Sequence, residues 1–221
     1  GASFCLLGPR HTQILCDKPV IAVTAVRTGA GKSPIAQKLA WKLSHDGFRV
    51  AILRHPMPYG DLTRQAVERF SCIDDLDRFS CTIEEREEYE PYLELGLAIY
   101  GGVDYRAIAK EASSEADVLL WDGGNNDSPF IAPGLLLVVV DALRPGHETS
   151  YYPGETNLRA ANVLIINKVG SASRDTLTHV RGSLQQHTPR ATIVEGDLKI
   201  SVSDANQIRG RRVLVVEDGP T

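Results

Sequence analysis

The chain has 221 residues, 43% of them hydrophobic and 24% charged, the balance of an ordinary globular domain rather than a disordered or collagen-like chain. Its 24 Lys and Arg against 28 Asp and Glu leave a net charge of −4, which argues against a broadly basic nucleic-acid binder but allows a local cationic pocket. At roughly 150 residues per domain the length fits one large domain, or one domain with fragments of a second, and a chain this long needs no metal or disulfide staple to bury a core.

Residues 1–18 are ambiguous: Phe4 to Leu7 and Thr12 to Leu15 could each form a short strand, with Gly8-Pro9 as a turn. They precede the first clear α/β unit and are expected as the tail of a preceding domain or an N-terminal extension, with 19–221 as the main domain. Val20 to Val26 is a continuous run rich in β-branched residues, the pattern of a strand buried on both faces of a parallel sheet. A Gly-rich turn follows, then a helix from Ser33 to Asp46 with Ile35, Leu39, Ala40 and Leu43 as its apolar stripe and Gly47 at its C-terminal end. Val50 to Leu53 completes a βαβ unit.

The middle of the chain is less regular. His55 to Gly60 holds two prolines and excludes regular structure, Asp61 to Phe70 is compatible with a helix, and the acidic stretch Thr82 to Glu90 reads as a helix start with a solvated face. Regularity returns with a helix over Tyr105 to Glu115 and a strand over Asp117 to Trp121 that ends in Asp122-Gly123-Gly124. Further strands are expected at Leu135 to Val140, Val163 to Ile166, Thr192 to Val194 and Val213 to Val216, with a helix over Arg174 to Gln186. Alternating strands and helices predict an α/β fold of three layers, a mostly parallel central sheet covered by helices on both faces.

The strongest chemical signal is Arg27-Thr28-Gly29-Ala30-Gly31-Lys32-Ser33, placed directly after a strand and opening a helix. Gly29 and Gly31 permit a tight turn whose backbone N–H groups can face an anion, and the helix N-terminus adds partial positive charge. Thr28, Gly29, Ala30, Gly31, Lys32 and Ser33 are therefore the expected phosphate-binding residues, with Lys32 on the β- and γ-phosphates and Ser33 ligating Mg2+. The usual spacing would place Gly at position 26, where this chain has Val26, and the next residue is Arg27. A second cation at this position marks the deviant Walker A class, which normally uses Lys, so Arg27 is a candidate to stabilise the transferring phosphoryl group. Asp122, carried by a hydrophobic strand to the edge where open α/β sheets bind ligands, is the candidate Walker B carboxylate and second Mg2+ ligand.

Asn167-Lys168-Val169-Gly170 lies where GTPases carry NKxD. Gly170 removes the guanine-specific acceptor, and Asn167 alone can still bond an adenine amino group, so ATP is favoured and GTP remains open; Asp197 in a later loop is another candidate for the base. Arg54, His55, Arg144, His147, Glu155 and Arg159 all fall in loops after strands, which share one rim in a parallel sheet. Of these substrate-binding candidates, Arg54, His55, Arg144, His147 and Arg159 together suit a small polyanionic substrate. Cys5, Cys16, Cys72 and Cys81 form no CxxC pair and are expected as buried thiols of a reducing cytosol. Without a run of about 20 apolar residues or a signal-peptide pattern, the expected location is the cytoplasm, with no membrane or nucleic-acid partner.

Several stretches are similar to the P-loop region of the cyclic 2,3-diphosphoglycerate synthetase family, itself of the deviant Walker A, dethiobiotin synthetase-like class. They are LLGPRHT at 6–12, AVRTGAGKS at 25–33, RHPMPYGDL at 54–62, TIEEREEYEPY at 82–92, DGGNND at 122–127, LRPGHE at 143–148, PGETN at 153–157, INKV at 166–169 and VEDGPT at 216–221. The resemblance implies an ATP- and Mg2+-dependent ligase that closes 2,3-diphosphoglycerate into a cyclic phosphoanhydride, releasing ADP and phosphate. Catalysis would then be charge neutralisation and alignment by Lys32, Arg27, Asp122-bound Mg2+ and the rim cations. It also implies that the chain is an inner fragment of a longer protein, and relatives of the class that pair across the nucleotide leave a homodimer open. The alternatives are a GTPase-type switch or metal-delivery NTPase, and a regulatory module with little turnover. The acidic stretch at 82–90 has no role derivable from sequence.

Overall fold

A strand with no polar alternation has no face to offer water, and Val20–Ala25 (β1) accordingly lies inside the sheet. In the computed structural model, which describes residues 1–5, 7–55, 61–124, 127–199 and 202–214, β1 pairs in parallel with Val118–Asp122 (β5) on one side and Leu135–Asp141 (β6) on the other. Beyond β5 come Val50–Leu53 (β2), Ala98–Gly101 (β4) and Glu68–Phe70 (β3); beyond β6 come Val163–Asn167 (β7) and Thr192–Glu195 (β8). The order is β3-β4-β2-β5-β1-β6-β7-β8, parallel throughout except for the antiparallel edge strand β3.

Alternation along β5 divides the core. Leu120 faces a layer formed with Lys32–His45 (α2), Ile73–Arg78 (α3) and Ile83–Glu94 (α4), through Ala36, Ala40, Leu76 and Tyr92. Leu119 and Trp121 face the opposite layer, formed with Tyr105–Glu115 (α5), Gly154–Ala160 (α6) and Arg174–His187 (α7), through Ile108, Leu158 and Leu184. The expected three-layer α/β architecture is therefore present. The register sets Val23 beside Asp122 and Asp141 beside Asn167, so the strands deliver their polar ends to one edge.

The structure departs from the sequence reading at three places. The segment expected as a helix over Asp61 to Phe70 contains turns and then β3. The Gln65 and Ala66 carbonyls accept from the N–H groups of Val103 and Asp104, and buried Phe70 anchors the strand in the core. At the N-terminus, Pro9 at the first helical position opens a short helix, Pro9–Thr12 (α1), in place of a hairpin, and Ile14 forms an isolated bridge to Ile131. Val213 and Leu214 carry no regular structure, and positions 215–216 of that expected strand lie outside the described residues. The four thiols are free; Cys5 and Cys72 are exposed rather than buried, and Cys16 and Cys81 are half-buried. Among the described residues, no helix is long and apolar enough to cross a membrane.

Leu120 is fully buried in the central strand adjoining the phosphate-binding edge. Leu120→Ala should cost about 2–5 kcal/mol, the range for truncating a packed core aliphatic, measured as a lowered midpoint in urea with an unchanged slope.

Candidate functional site

The turn between β1 and α2 supplies the backbone of the site. Gly29 and Gly31 adopt φ of 78° and 93°, the left-handed region open to glycine. A Cβ on Gly31 would lie 2.2 Å from the Asn167 side-chain nitrogen, so glycine is also required there by close packing. Ala30 is buried, Thr28 is half-buried and Gly29 is exposed. Lys32 begins α2 with its side chain buried, and its ammonium pairs with Asp122 Oδ1 while lying 3.5 Å from the Ser33 hydroxyl.

Asp122, at the end of β5, is 1% exposed and meets three polar side chains. Besides Lys32 it receives Arg54 Nη1 at 3.0 Å and the Tyr92 hydroxyl at 2.7 Å, both on Oδ2. Burial works against its charge, but the Arg54 guanidinium and Lys32 ammonium hold its carboxyl below the ordinary carboxylate range. Burial also pushes the Lys32 ammonium below its ordinary value, against the pull of Asp122. The Tyr92 hydroxyl is pushed well up by burial and by Asp122, and stays a donor.

Three residues around Arg54 and Asp122, namely Glu88, Tyr89 and Tyr92, escaped the sequence reading because they lie on α4, the acidic stretch. The Thr82 side chain accepts from Glu85 N–H, and the Glu85 carboxylate accepts from Thr82 N–H, closing a capping box that starts the helix. Glu88 then pairs with Arg54, Tyr89 stands with its ring 6.0 Å from the Arg54 guanidinium, and Tyr92 reaches Asp122. The spacing 85, 88/89, 92 is one helical face, the signal that could have identified it. Arg54 is thus a buried residue held between Asp122 and Glu88.

The loop after β7 braces the Gly-rich turn from the other side. Asn167 donates its amide N–H to the Ala30 carbonyl at 2.8 Å, and Lys168 donates to the Gly29 carbonyl at 2.6 Å and to Asp141 at 2.9 Å. Gly170 has the Asp197 carboxylate beside it, 2.4 Å from where a Cβ would stand. On the β6 side, α6 abuts the turn so closely that a Cβ on Gly154 would meet the Val26 carbonyl at 2.2 Å. Arg27 Nη1 lies 3.2 Å from His147 Nδ1. Arg144 is exposed on the adjoining loop, and Glu155 and Arg159 form an i,i+4 pair along α6, Nη2 to Oε1 at 2.6 Å. Glu148, in the LRPGHE loop but given no role in sequence, is 1% exposed, and both its carboxylate oxygens lack a hydrogen-bond partner among the described residues.

His55 faces Asp127, Nδ1 to Oδ2 at 3.1 Å, and Gly124 N–H points at both, 3.2 Å from each. Burial lowers the His55 imidazole against the pull of Asp127, so it is neutral near pH 7. Lys32, Ser33, Asp122, Arg54, Tyr92 and His55 are thereby gathered at one edge, and Arg27 and His147 flank the same turn. The expected loop residues at 56–60 and 125–126 lie outside the described residues.

No protein-family model matches the chain. It is 57% identical over its whole 221 residues to an arginine synthetase of Thermococcus kodakarensis, ArcE, and spans 49% of that protein's length. Among solved structures it resembles the hydrogenase maturation factor HypB of Archaeoglobus fulgidus (TM-score 0.52, 16% identity, covering 85% of this chain and 83% of that one). It also resembles LpxK of Aquifex aeolicus, determined in complex with ATP (TM-score 0.51, 19% identity, covering 70% and 50%). The sheet, the Gly-rich turn and these likenesses together identify the fold as that of the P-loop NTPases.

Removing the charge of Asp122 would leave Arg54 and Lys32 facing each other without their carboxylate. Asp122→Asn should cost about 3–5 kcal/mol at pH 7, the range for breaking a buried pair from one side. The native carboxyl titrates below its unfolded value of 3.8, so its stabilisation is complete above that value and lost as pH falls through the depressed native value. Urea melts at pH 7 and pH 3 should show the gap between the wild type and the variant narrowing in acid.

Proposed function

We propose that this chain is the nucleotide-binding part of an ATP-driven synthetase that transfers the γ-phosphoryl group to an oxygen of a small amino-acid-class co-substrate, releasing ADP, after which a nitrogen nucleophile displaces that oxygen as inorganic phosphate. The observation that carries the reading is the buried Lys32–Asp122 pair beneath a left-handed Gly-rich turn, with the Ser33 hydroxyl in reach of the same ammonium. A cation already stands between a carboxylate and a hydroxyl, which is the hard-oxygen donor set that suits Mg2+. Ser33 and Asp122 would hold the ion, and when bound it would neutralise charge on the phosphate oxygens. Lys32, released from Asp122 by the arriving triphosphate, would follow the β- and γ-phosphates. Arg27, next to the turn, is placed to meet charge that builds on the transferring group.

The amino-acid class is supported by the arginine synthetase to which the whole chain is similar. It is also supported by the rim electrostatics. Arg54, Arg159 and Lys168 each already meet a carboxylate, Asp122 and Glu88, Glu155, and Asp141 respectively, which leaves little cationic surplus for a polyanion. A second reading, cyclisation of 2,3-diphosphoglycerate, is favoured by exposed Arg144 and by the Arg27–His147 contact on the same rim. ATP is preferred over GTP because Gly170 offers no side-chain acceptor to guanine, although Asp197 brings a carboxylate to the same place.

ADP or GDP release should be followed in the intact gene product with Mg-ATP and Mg-GTP, each alone and with 2,3-diphosphoglycerate, alongside arginine-dependent exchange of labelled phosphate into ATP. The expected result is exchange that requires L-arginine together with ADP and ATP. Hydrolysis at the same rate without any co-substrate would replace the synthetase by a switch, and stimulation by 2,3-diphosphoglycerate alone would favour the cyclising reading. Lys32→Ala should lower the nucleotide-dependent rate by about 100- to 1,000-fold, the usual cost of one preorganised transition-state donor; full activity in this variant would overturn the phosphate site.

A further inference from the structure

A cavity of about 350 Å3 opens beside the phosphate site on the sheet face that carries α5, between Thr12, His55, Tyr105, Trp121, Asp127 and Phe130. That volume suits a small-molecule ligand. Its walls combine stacked rings with few, specific polar atoms: Tyr105 and Phe130 lie parallel, 4.1 Å between centroids. Trp121 is 1% exposed, and its indole Nε1–H has no acceptor among the described residues. Buried donors are rarely left without a partner, and a ligand seated in a cavity that the same residue lines can supply the acceptor. Asp127 Oδ2 accepts from Gly124 N–H and lies 3.1 Å from His55 Nδ1, while its Oδ1 makes no hydrogen bond among the described residues. Among the described residues no Lys or Arg lines the cavity, so none of them would neutralise a polyphosphate in it.

The cavity also lies in the right place. Gly124, which donates to both His55 and Asp127, is two residues beyond Asp122, and Asp127 is close enough to Lys32 to act on its charge. A ligand seated here has one end at the edge where the γ-phosphate would lie.

We infer that this cavity is the co-substrate subsite, in which an amino-acid-class ligand places its cationic, N–H-rich group on Asp127 Oδ1 and offers an acceptor to the Trp121 indole. Its assignment to a co-substrate rests on the phosphoryl-transfer reading above; its preference for a cation rests on the cavity alone. The aromatic walls would add cation–π attraction for a guanidinium or ammonium group.

The chain has two tryptophans, and Trp41 lies on α2, away from the cavity and stacked on His45. Trp41→Phe therefore leaves Trp121 as the single indole reporter. L-arginine should change its emission saturably, and Asp127→Asn in this background should weaken arginine about tenfold more than it weakens the fluorescent nucleotide mant-ADP with Mg2+. Trp121→Phe, read by calorimetry, should weaken arginine while keeping the ring. Unchanged Trp121 emission up to about 10 mM L-arginine, enough to saturate any site tighter than millimolar, in a chain that binds mant-ADP would overturn the cavity assignment and leave the nucleotide reading standing. Absence of mant-ADP binding would instead remove the phosphate site. A saturable response to 2,3-diphosphoglycerate and none to arginine would overturn the ligand class. The titration of the Trp41→Phe chain decides the question even where a cavity variant fails to fold.

Discussion

A buried carboxylate is tolerable only when its charge is met, and Asp122 draws its partners from every side of the site. Lys32 comes from the first turn of α2, Arg54 from the end of β2 and Tyr92 from the last turns of α4, while Asp122 itself ends β5. Four elements that share little sequence are thus tied at one atom pair. Continuum reasoning gives such a cluster no automatic gain in stability. It gives definite geometry: moving any one member strands the other charges in a dry environment.

The Gly-rich turn is held in the same spirit. Asn167 and Lys168 grip its carbonyls from the β7 side, α6 packs against Val26, and the anchored β1 and α2 fix its two ends. An anion cradle built this way reorganises little when charge arrives, which is the condition for strong electrostatic stabilisation. The asparagine expected to read a base is spent, through its amide N–H, on the backbone of the cradle.

Around the cradle, charge is nearly balanced in pairs. Glu88 answers Arg54, Asp141 answers Lys168, Glu155 answers Arg159 and Asp127 answers His55 if it protonates. Paired cations of this kind position groups rather than attract a polyanion from solution. Glu148 is a buried carboxylate whose oxygens have no hydrogen-bond partner among the described residues, close to the turn through its neighbour His147. The acidic helix α4, which looks like a solvated face in sequence, is the source of two of the groups that make the center of the site dry and neutral enough to work.

The strand runs at Val20, Val50, Leu135 and Val163, the Gly29-to-Ser33 turn and the carboxylate closing β5 were legible in the amino-acid order, because apolar continuity and glycine placement act over a few neighbouring residues. The helix expected at 61–70 failed because carbonyls at Gln65 and Ala66 found partners at Val103 and Asp104, a pairing no local pattern announces. The partners of Asp122 lie 90, 68 and 30 residues away along the chain. Which cation meets which carboxylate, and that Trp121 keeps an unmet donor beside a cavity, are decided by distance in space, and only the packed sheet brings those residues within reach of one another.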